Sequence, residues 1–247
     1  MLYFFLNNPV GYMGLLGSYY NAAGTPIPQW LSIVSLLVYT LVPYMLGSIN
    51  TAVIVSHVMY KDDIRKYGSG NAGFTNVMRT FGFKAAAITF TGDILKAIVS
   101  VMLGWCFLGY LSAYIAGFAC FIGHILPCFY QFKGGKGVLC SIAMIFVLDI
   151  RIFFVLVALF LIAVAITKYI SFGSILGAMV FPILLNRINP TNPRLYMIEI
   201  IAVAIGVIVV FKHRENLKRI FNGTESKFSF KKSKKQTDES DNEAENG

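Results

Sequence analysis

Lys136 stands between glycines in Phe132-Lys133-Gly134-Gly135-Lys136-Gly137, and an apolar run begins directly after it at Val138. A glycine-rich turn at a helix N-terminus presents free N–H groups and the positive end of the helix dipole, which together bind phosphate. Lys136 adds a point charge there. This is not a Walker A loop, because the GxxxxGK[ST] spacing is absent and no strand precedes it. A plain turn at a membrane boundary is the alternative. Just upstream, His124 in Gly123-His124-Ile125-Leu126-Pro127 suits a catalytic or a hydrogen-bonded structural position equally.

A second glycine-rich stretch runs Gly68-Ser69-Gly70-Asn71-Ala72-Gly73-Phe74-Thr75-Asn76 and reaches Arg79 three residues later. Glycines this dense allow positive φ and close approach of the backbone to a ligand, and successive N–H groups form an anion nest. Ser69, Asn71, Thr75 and Asn76 supply hydroxyl and amide groups. Arg79 supplies a guanidinium fork that suits phosphate. An ordinary solvated loop seldom gathers these types so closely.

The third polar region pairs Ser171-Phe172-Gly173-Ser174 with Lys212-His213-Arg214-Glu215-Asn216-Leu217-Lys218-Arg219. On a helix His213 and Asn216 share a face. A basic stop at a helix end explains Lys212, Lys218 and Arg219, but not the histidine and asparagine. Asp93 and Lys96, three residues apart inside an apolar run, need the bundle interior. They pair with each other or with the glycine loops.

What is missing narrows the chemistry. The sequence has no Ser-His-Asp order, no HxxxxD pair, no metal-ligand cluster and no convincing covalent nucleophile. Cys106, Cys120, Cys128 and Cys140 form no CxxC and read as small apolar residues. The candidates therefore describe binding of an anionic, phosphorylated ligand, with no cofactor and no metal.

The elements that must position them are membrane helices. Of 247 residues, 56% are hydrophobic and 13% charged, with a mean hydropathy of +0.66. A soluble chain carries roughly 45–50% apolar and about 25% charged residues. A soluble enzyme, a coiled coil and a disordered scaffold are excluded. The net charge of +9 does not indicate nucleic acid, because the basic residues lie between long apolar runs.

About 20 apolar residues cross a bilayer core of ~30 Å. The runs are Leu31 to Met59, Ala85–Leu108, Leu111–Phe132, Val138–Lys168, Ser174–Asn186 and Tyr196–Phe211. The fourth is too long and too polar at its centre for one helix, so it divides at Asp149-Ile150-Arg151. A turn-rich break covers residues 187–193. The expected fold is all-α, a polytopic integral membrane protein with seven transmembrane helices, several of them short. A five-span arrangement with re-entrant short helices keeps the same orientation. Seventeen Lys and Arg fall on one face and three on the other, so the N-terminus is outside and the C-terminus cytoplasmic. All three polar regions then face the cytoplasm. Residues 1–30 form an extracellular N-terminal segment without a cleavable signal, 31–222 the membrane domain, and 223–247 a charged cytoplasmic tail expected to be disordered. The tail's Lys231-Lys232-Ser233-Lys234-Lys235 cluster also suits docking to anionic lipid.

These stretches, in this order, resemble the bacterial acyl-phosphate:glycerol-3-phosphate acyltransferase family. The resemblance covers residues 47–223 and rests on Gly47-Ser48-Ile49-Asn50-Thr51-Ala52, Asp63-Ile64-Arg65, GSGNAGFTN from Gly68, GHILP from Gly123, FKGGKG from Phe132, and His213-Arg214-Glu215-Asn216. It implies transfer of a fatty acyl group from acyl phosphate to the 1-hydroxyl of sn-glycerol 3-phosphate. The products are lysophosphatidic acid and phosphate, at the first step of phospholipid synthesis. Carried over residue by residue, Ser69, Arg79, Lys136, Ser174, His213 and Asn216 surround glycerol 3-phosphate and the reacting centre. Gly134 and Gly135 present amides to a phosphate, while Gly68, Gly70, Asn71, Thr75 and Asn76 shape the first loop. The implied partners are glycerol 3-phosphate, fatty acyl phosphate, membrane lipids and the acyl-phosphate-forming enzyme, with no nucleic acid. The implied location is the bacterial cytoplasmic membrane, with the active site facing the cytoplasm.

Two positions depart from the pattern: Asn50 stands where proline is common, and Phe74 where a smaller residue is usual. Two other classes compete. A transporter of phosphorylated solutes would place its polar groups near the bilayer midplane, and a non-catalytic membrane subunit leaves both glycine motifs unexplained.

Overall fold

The computed structural model describes residues 9–189 and 195–228. Among them every regular element is helical. Eleven α-helices are present: α1 (Pro9–Ala22), α2 (Gln29–Ser48), α3 (Thr51–Tyr60), α4 (Phe74–Phe81), α5 (Phe83–Leu108), α6 (Tyr110–Ile125), α7 (Val138–Leu148), α8 (Ile150–Thr167), α9 (Ile170–Ile188), α10 (Leu195–Lys212) and α11 (Arg214–Phe221). Five segments are long and apolar enough to cross a membrane, and the bent pair α10–α11 makes a sixth. At 11 residues, α7 is about 16 Å long and cannot cross a ~30 Å core upright. The acidic and basic clusters beyond residue 228 and part of the expected break at 187–193 lie outside the described residues.

Two features of the long runs follow from single side chains. The run expected to form one helix from Leu31 to Met59 is in fact broken. Asn50 is extended, and its side chain accepts the Val53 N–H at 3.1 Å, starting α3 anew. Asparagine at an N-cap offers the backbone an oxygen in place of a helical carbonyl, and that ends α2 at Ser48. Asp149 acts similarly at the expected division between α7 and α8. Its carboxylate accepts the Arg151 and Ile152 N–H groups at 3.0 and 3.3 Å.

The main core lies among α5–α10. Tyr114, Phe121, Met144, Ile152, Phe181, Ile198 and Ile205 are fully buried there. A smaller cluster joins Ala52 and Val55 of α3 to Ile64, Val77 of α4 and Ala85 of α5. The helix faces turned away from these cores carry exposed large apolar groups, including Trp30, Val99, Leu161, Ile166, Ile183 and Val207. A water-soluble protein does not spread such groups over its flanks; hydrocarbon is their solvent.

The polar segments collect at one end of the bundle. Arg65 reaches the Tyr130 carbonyl, Arg79 the Ser226 carbonyl, and the Phe228 N–H donates to Lys168 at 2.7 Å.

Candidate active site

The first loop is wound around Asn76. The buried amide of this α4 residue accepts the Ser69 N–H at 3.1 Å and donates to the carbonyls of Tyr67 and Ile64 at 2.9 and 3.3 Å. Gly68 must be glycine: its φ is +56°, and a Cβ would stand 2.4 Å from the Asn76 oxygen. Below the loop, Asp63 caps a turn of 3₁₀ helix (Ile64–Lys66) and grips the Arg65 guanidinium at 2.7–3.1 Å. Those hydrogen bonds hold the Asp63 carboxyl below the usual carboxylate range. Asn76 is thus the scaffold of the loop. Gly68, Ser69 and Gly70 form its exposed crest, with Asn71 and Thr75 half-buried beside it.

The second loop is pinned to His124. The Gly135 N–H donates to the His124 carbonyl at 3.0 Å. A Cβ on Gly134 would lie 2.1 Å from that same carbonyl oxygen, and one on Gly135 would lie 2.1 Å from His124 Nε2. The two glycines are required by this close approach. The expectation that Gly135 offers its amide to a phosphate is corrected, because that N–H already has a partner. The unpaired donors belong to the first turn of α7, as at any helix start. Gly137 caps that turn and Lys136 stands just before it.

Lys136 meets the third region directly. Its ammonium donates to the Asn216 carboxamide oxygen of α11, 80 residues away. Asn216 in turn donates to Glu225 at 2.6 Å. The Glu225 carboxylate also accepts from the Ser171 hydroxyl and from Arg219, each at 2.8 Å. His213, buried one turn before Asn216, has Nδ1 2.8 Å from the Val209 carbonyl. The proton therefore sits on Nδ1, and Nε2 carries the lone pair.

Electrostatically the cluster is an anion trap. Burial first, then the fields of Arg219, Arg79 and Lys212, lower the Lys136 pKa to about 8, and only Glu225 opposes them. Burial alone would raise the Glu225 carboxyl. Hydrogen bonds from Asn216, Arg219 and Ser171 outweigh it and hold the group below its ordinary value. Several cations around one carboxylate leave a net positive pocket, suited to a phosphate dianion.

The structure thus brings Arg79, Lys136, His213 and Asn216 into one neighbourhood. Ser174 is buried on the same helix as Ser171, but its hydroxyl turns back to the Ile170 carbonyl at 3.0 Å. Ser69 stays on the first loop. Sequence reasoning placed Ser171 and Arg219 in the third polar region without a site role, and it missed Glu225. The available signal was one acidic residue after an Asn-Gly turn in a basic stretch. Residues 223–228, grouped by composition with the tail, are anchored to the site through Glu225 and Phe228.

Residues 37–223 match the glycerol-3-phosphate acyltransferase family. A glycerol-3-phosphate acyltransferase of Finegoldia magna is 40% identical over 195 residues, covering 78% of this chain and 96% of that one. One from Clostridioides difficile is 38% identical over 208 residues, covering 82% and 100%. The crystal structure of PlsY (YgiH), an integral membrane glycerol 3-phosphate acyltransferase, in its glycerol 3-phosphate form superposes with a TM-score of 0.73 at 29% identity. That match covers 79% of this chain and 96% of the other. The lysophosphatidic acid form gives 0.70 at 28% identity, with the same coverage. The apolar helices, the cationic pocket and these likenesses agree: the chain is an integral membrane acyltransferase and belongs to the glycerol-3-phosphate acyltransferase family.

Proposed function

We propose that this enzyme transfers a fatty acyl group from acyl phosphate to the 1-hydroxyl of sn-glycerol 3-phosphate, releasing lysophosphatidic acid and inorganic phosphate. The observation that carries the reading is the contact of Lys136 with Asn216. It joins the glycine loop to the His213 helix and places Arg79 and Arg219 within the Lys136 field. An acyl phosphate is a mixed anhydride with a good leaving group, so no covalent nucleophile is needed. The protein aligns the hydroxyl with the carbonyl and stabilises the oxyanion and departing phosphate with fixed donors. Arg79 and Lys136 supply charge, Asn216 and Ser174 polar contacts, and the first loop the wall carrying Ser69. The hydroxyl proton goes to a phosphate oxygen or to the bare Nε2 of His213.

The topology belongs to the same proposal. Seven helices cross or enter the cytoplasmic membrane of a bacterium, with the N-terminus outside and the polar end in the cytoplasm. The distribution of positive charge supports that orientation. A count of seven, with α7 entering from the site end and turning at Asp149, would put the two termini on opposite faces. A cytoplasmic site would receive its donor from the acyl-phosphate-forming enzyme.

The assay is direct: purified protein in lipid is given acyl phosphate with and without glycerol 3-phosphate. Phosphate release that depends on glycerol 3-phosphate and appears with lysophosphatidate supports the reading. Folded protein that forms neither product refutes it.

A pH dependence follows from Lys136. Its lowered pKa means that the positive charge is present below about pH 8 and lost above it. The kcat/KM for glycerol 3-phosphate, which reports the free enzyme, should therefore fall as pH rises through about 8. Binding of a phosphate dianion raises the ammonium pKa, so the same limb in kcat should lie higher. Lys136→Arg keeps its charge across this range and should lack the limb. An identical limb in that variant would assign it to another group.

A further inference from the structure

Beneath the Gly134–Gly135 turn lies a charged cluster that none of the roles above uses. Asp93 and Lys96, three residues apart on α5, are only 1% and 8% exposed and pair at 2.9 Å. Thr51 donates to Asp93 at 3.3 Å. Lys96 Nζ also donates to the Gly47 and Ile49 carbonyls at 3.1 and 2.9 Å, the groups freed where Asn50 breaks α2 from α3. The same ammonium lies 3.0 Å from Nδ1 of His124. His124 in turn carries the glycine loop, through its carbonyl and through the edge of its ring.

This contact bears on where the imidazole proton is. An ammonium has only protons to give, so at 3.0 Å this contact favours a bare Nδ1 on His124, with the ring hydrogen on Nε2. The other arrangement, Nδ1–H donated to Asp93, would span 3.6 Å and set a donor against the ammonium. His57 and His213 are opposite cases. Their Nδ1 atoms lie 2.9 and 2.8 Å from the Val53 and Val209 carbonyls, so both carry the hydrogen on Nδ1. His124 alone has its hydrogen on Nε2, the atom that abuts Gly135.

We propose that Lys96 is a positioning residue for the phosphate loop. It holds His124 in the Nε2–H form and locks the α2–α3 break, α5 and the Gly134–Gly135 turn into one unit. A structural ion pair would need only Asp93. The Lys96 ammonium instead shares its three hydrogens among Asp93 and three further acceptors, one of which carries the loop. Charged groups in a membrane span are costly and usually functional. The assignment rests on the reading that this loop helps to hold glycerol 3-phosphate.

Two measurements on the full-length protein in lipid test it. In [15N]histidine spectra between pH 7 and 8, two histidines should be protonated on Nδ1 and one on Nε2. The latter should vanish in His124→Asn. The double substitution Asp93→Asn/Lys96→Met removes both charges together and so leaves no unpaired ion. It should keep its helical content, yet raise the KM for glycerol 3-phosphate at least tenfold with a smaller change in kcat. A purely structural pair would not give that split. A folded double variant with wild-type KM overturns the proposal, and so does His124 protonated on Nδ1. If the double variant does not fold, the wild-type spectrum decides by the same criterion. Wild-type protein that makes no lysophosphatidate would instead sink the functional reading, leaving the tautomer result intact.

Discussion

Lys136→Ala should lower turnover by about a hundredfold or more, the usual loss when one preorganised electrostatic donor leaves an active site. At 25 °C that is roughly 2.7 kcal/mol of transition-state stabilisation. The reason is local. Lys136 is the cation that joins the α7 start to Asn216, and Arg79 and Arg219 act on the same space. In the proposed mechanism, removing it takes away the charge facing the leaving phosphate and releases Asn216 from the loop. Stability should change much less, because Lys136 is half-buried and its loss relieves repulsion among the neighbouring cations. Steady-state kinetics beside a thermal melt checks both statements. Near-native turnover in a well-folded Lys136→Ala protein would remove Lys136 from the chemistry.

Glu225→Ala should be the most damaging substitution outside the glycine loops. The Glu225 carboxylate accepts from Ser171, Asn216 and Arg219 together and is itself buried. Its removal strands three donors and leaves the cation cluster without its counter-charge. Breaking a buried pair by removing one partner costs about 3–5 kcal/mol. Here the loss should sit near the low end, since the Arg219 side chain is 37% exposed and can turn to water. The melting temperature should drop clearly, and activity at low temperature should fall as well, because Asn216 loses its anchor. Glu225→Gln keeps an acceptor and should recover much of the stability but less of the activity. A melting temperature and a rate that both match wild type in Glu225→Ala would contradict the role assigned to this carboxylate.

Much of this site is legible in the sequence, for identifiable physical reasons. Apolar runs report helices, so the stretches that became α5, α6 and α8 could be read from hydrophobicity alone. Asp149 was readable because a carboxylate beside an arginine cannot sit in the middle of a span. Asn50 was legible only as a departure, standing where proline is common and hinting that the first helix ends or bends there. Only the structure shows it capping α3 through Val53. Lys136 and Asn216 each stood out by type and spacing. Their contact across 80 residues depends on how α7 and α11 pack, which periodicity does not encode. Gly135 was read as an amide donor because glycine turns commonly serve that way. The ring of His124 gives the glycine a different reason to be there. Glu225 was missed because counting charge along the tail averages a single buried carboxylate into its basic surroundings.

In the proposed mechanism the glycerol 3-phosphate hydroxyl attacks the carbonyl carbon of acyl phosphate in the pocket around Lys136. Isotope tracing tests it most directly. Glycerol 3-phosphate labelled with 18O in its 1-hydroxyl is turned over with unlabelled acyl phosphate, and the products are weighed by mass spectrometry. The expected result is label retained in the ester of lysophosphatidate, unlabelled inorganic phosphate, and the two products in one-to-one amount. Label in a phosphate product, or phosphate released without lysophosphatidate, would contradict the account.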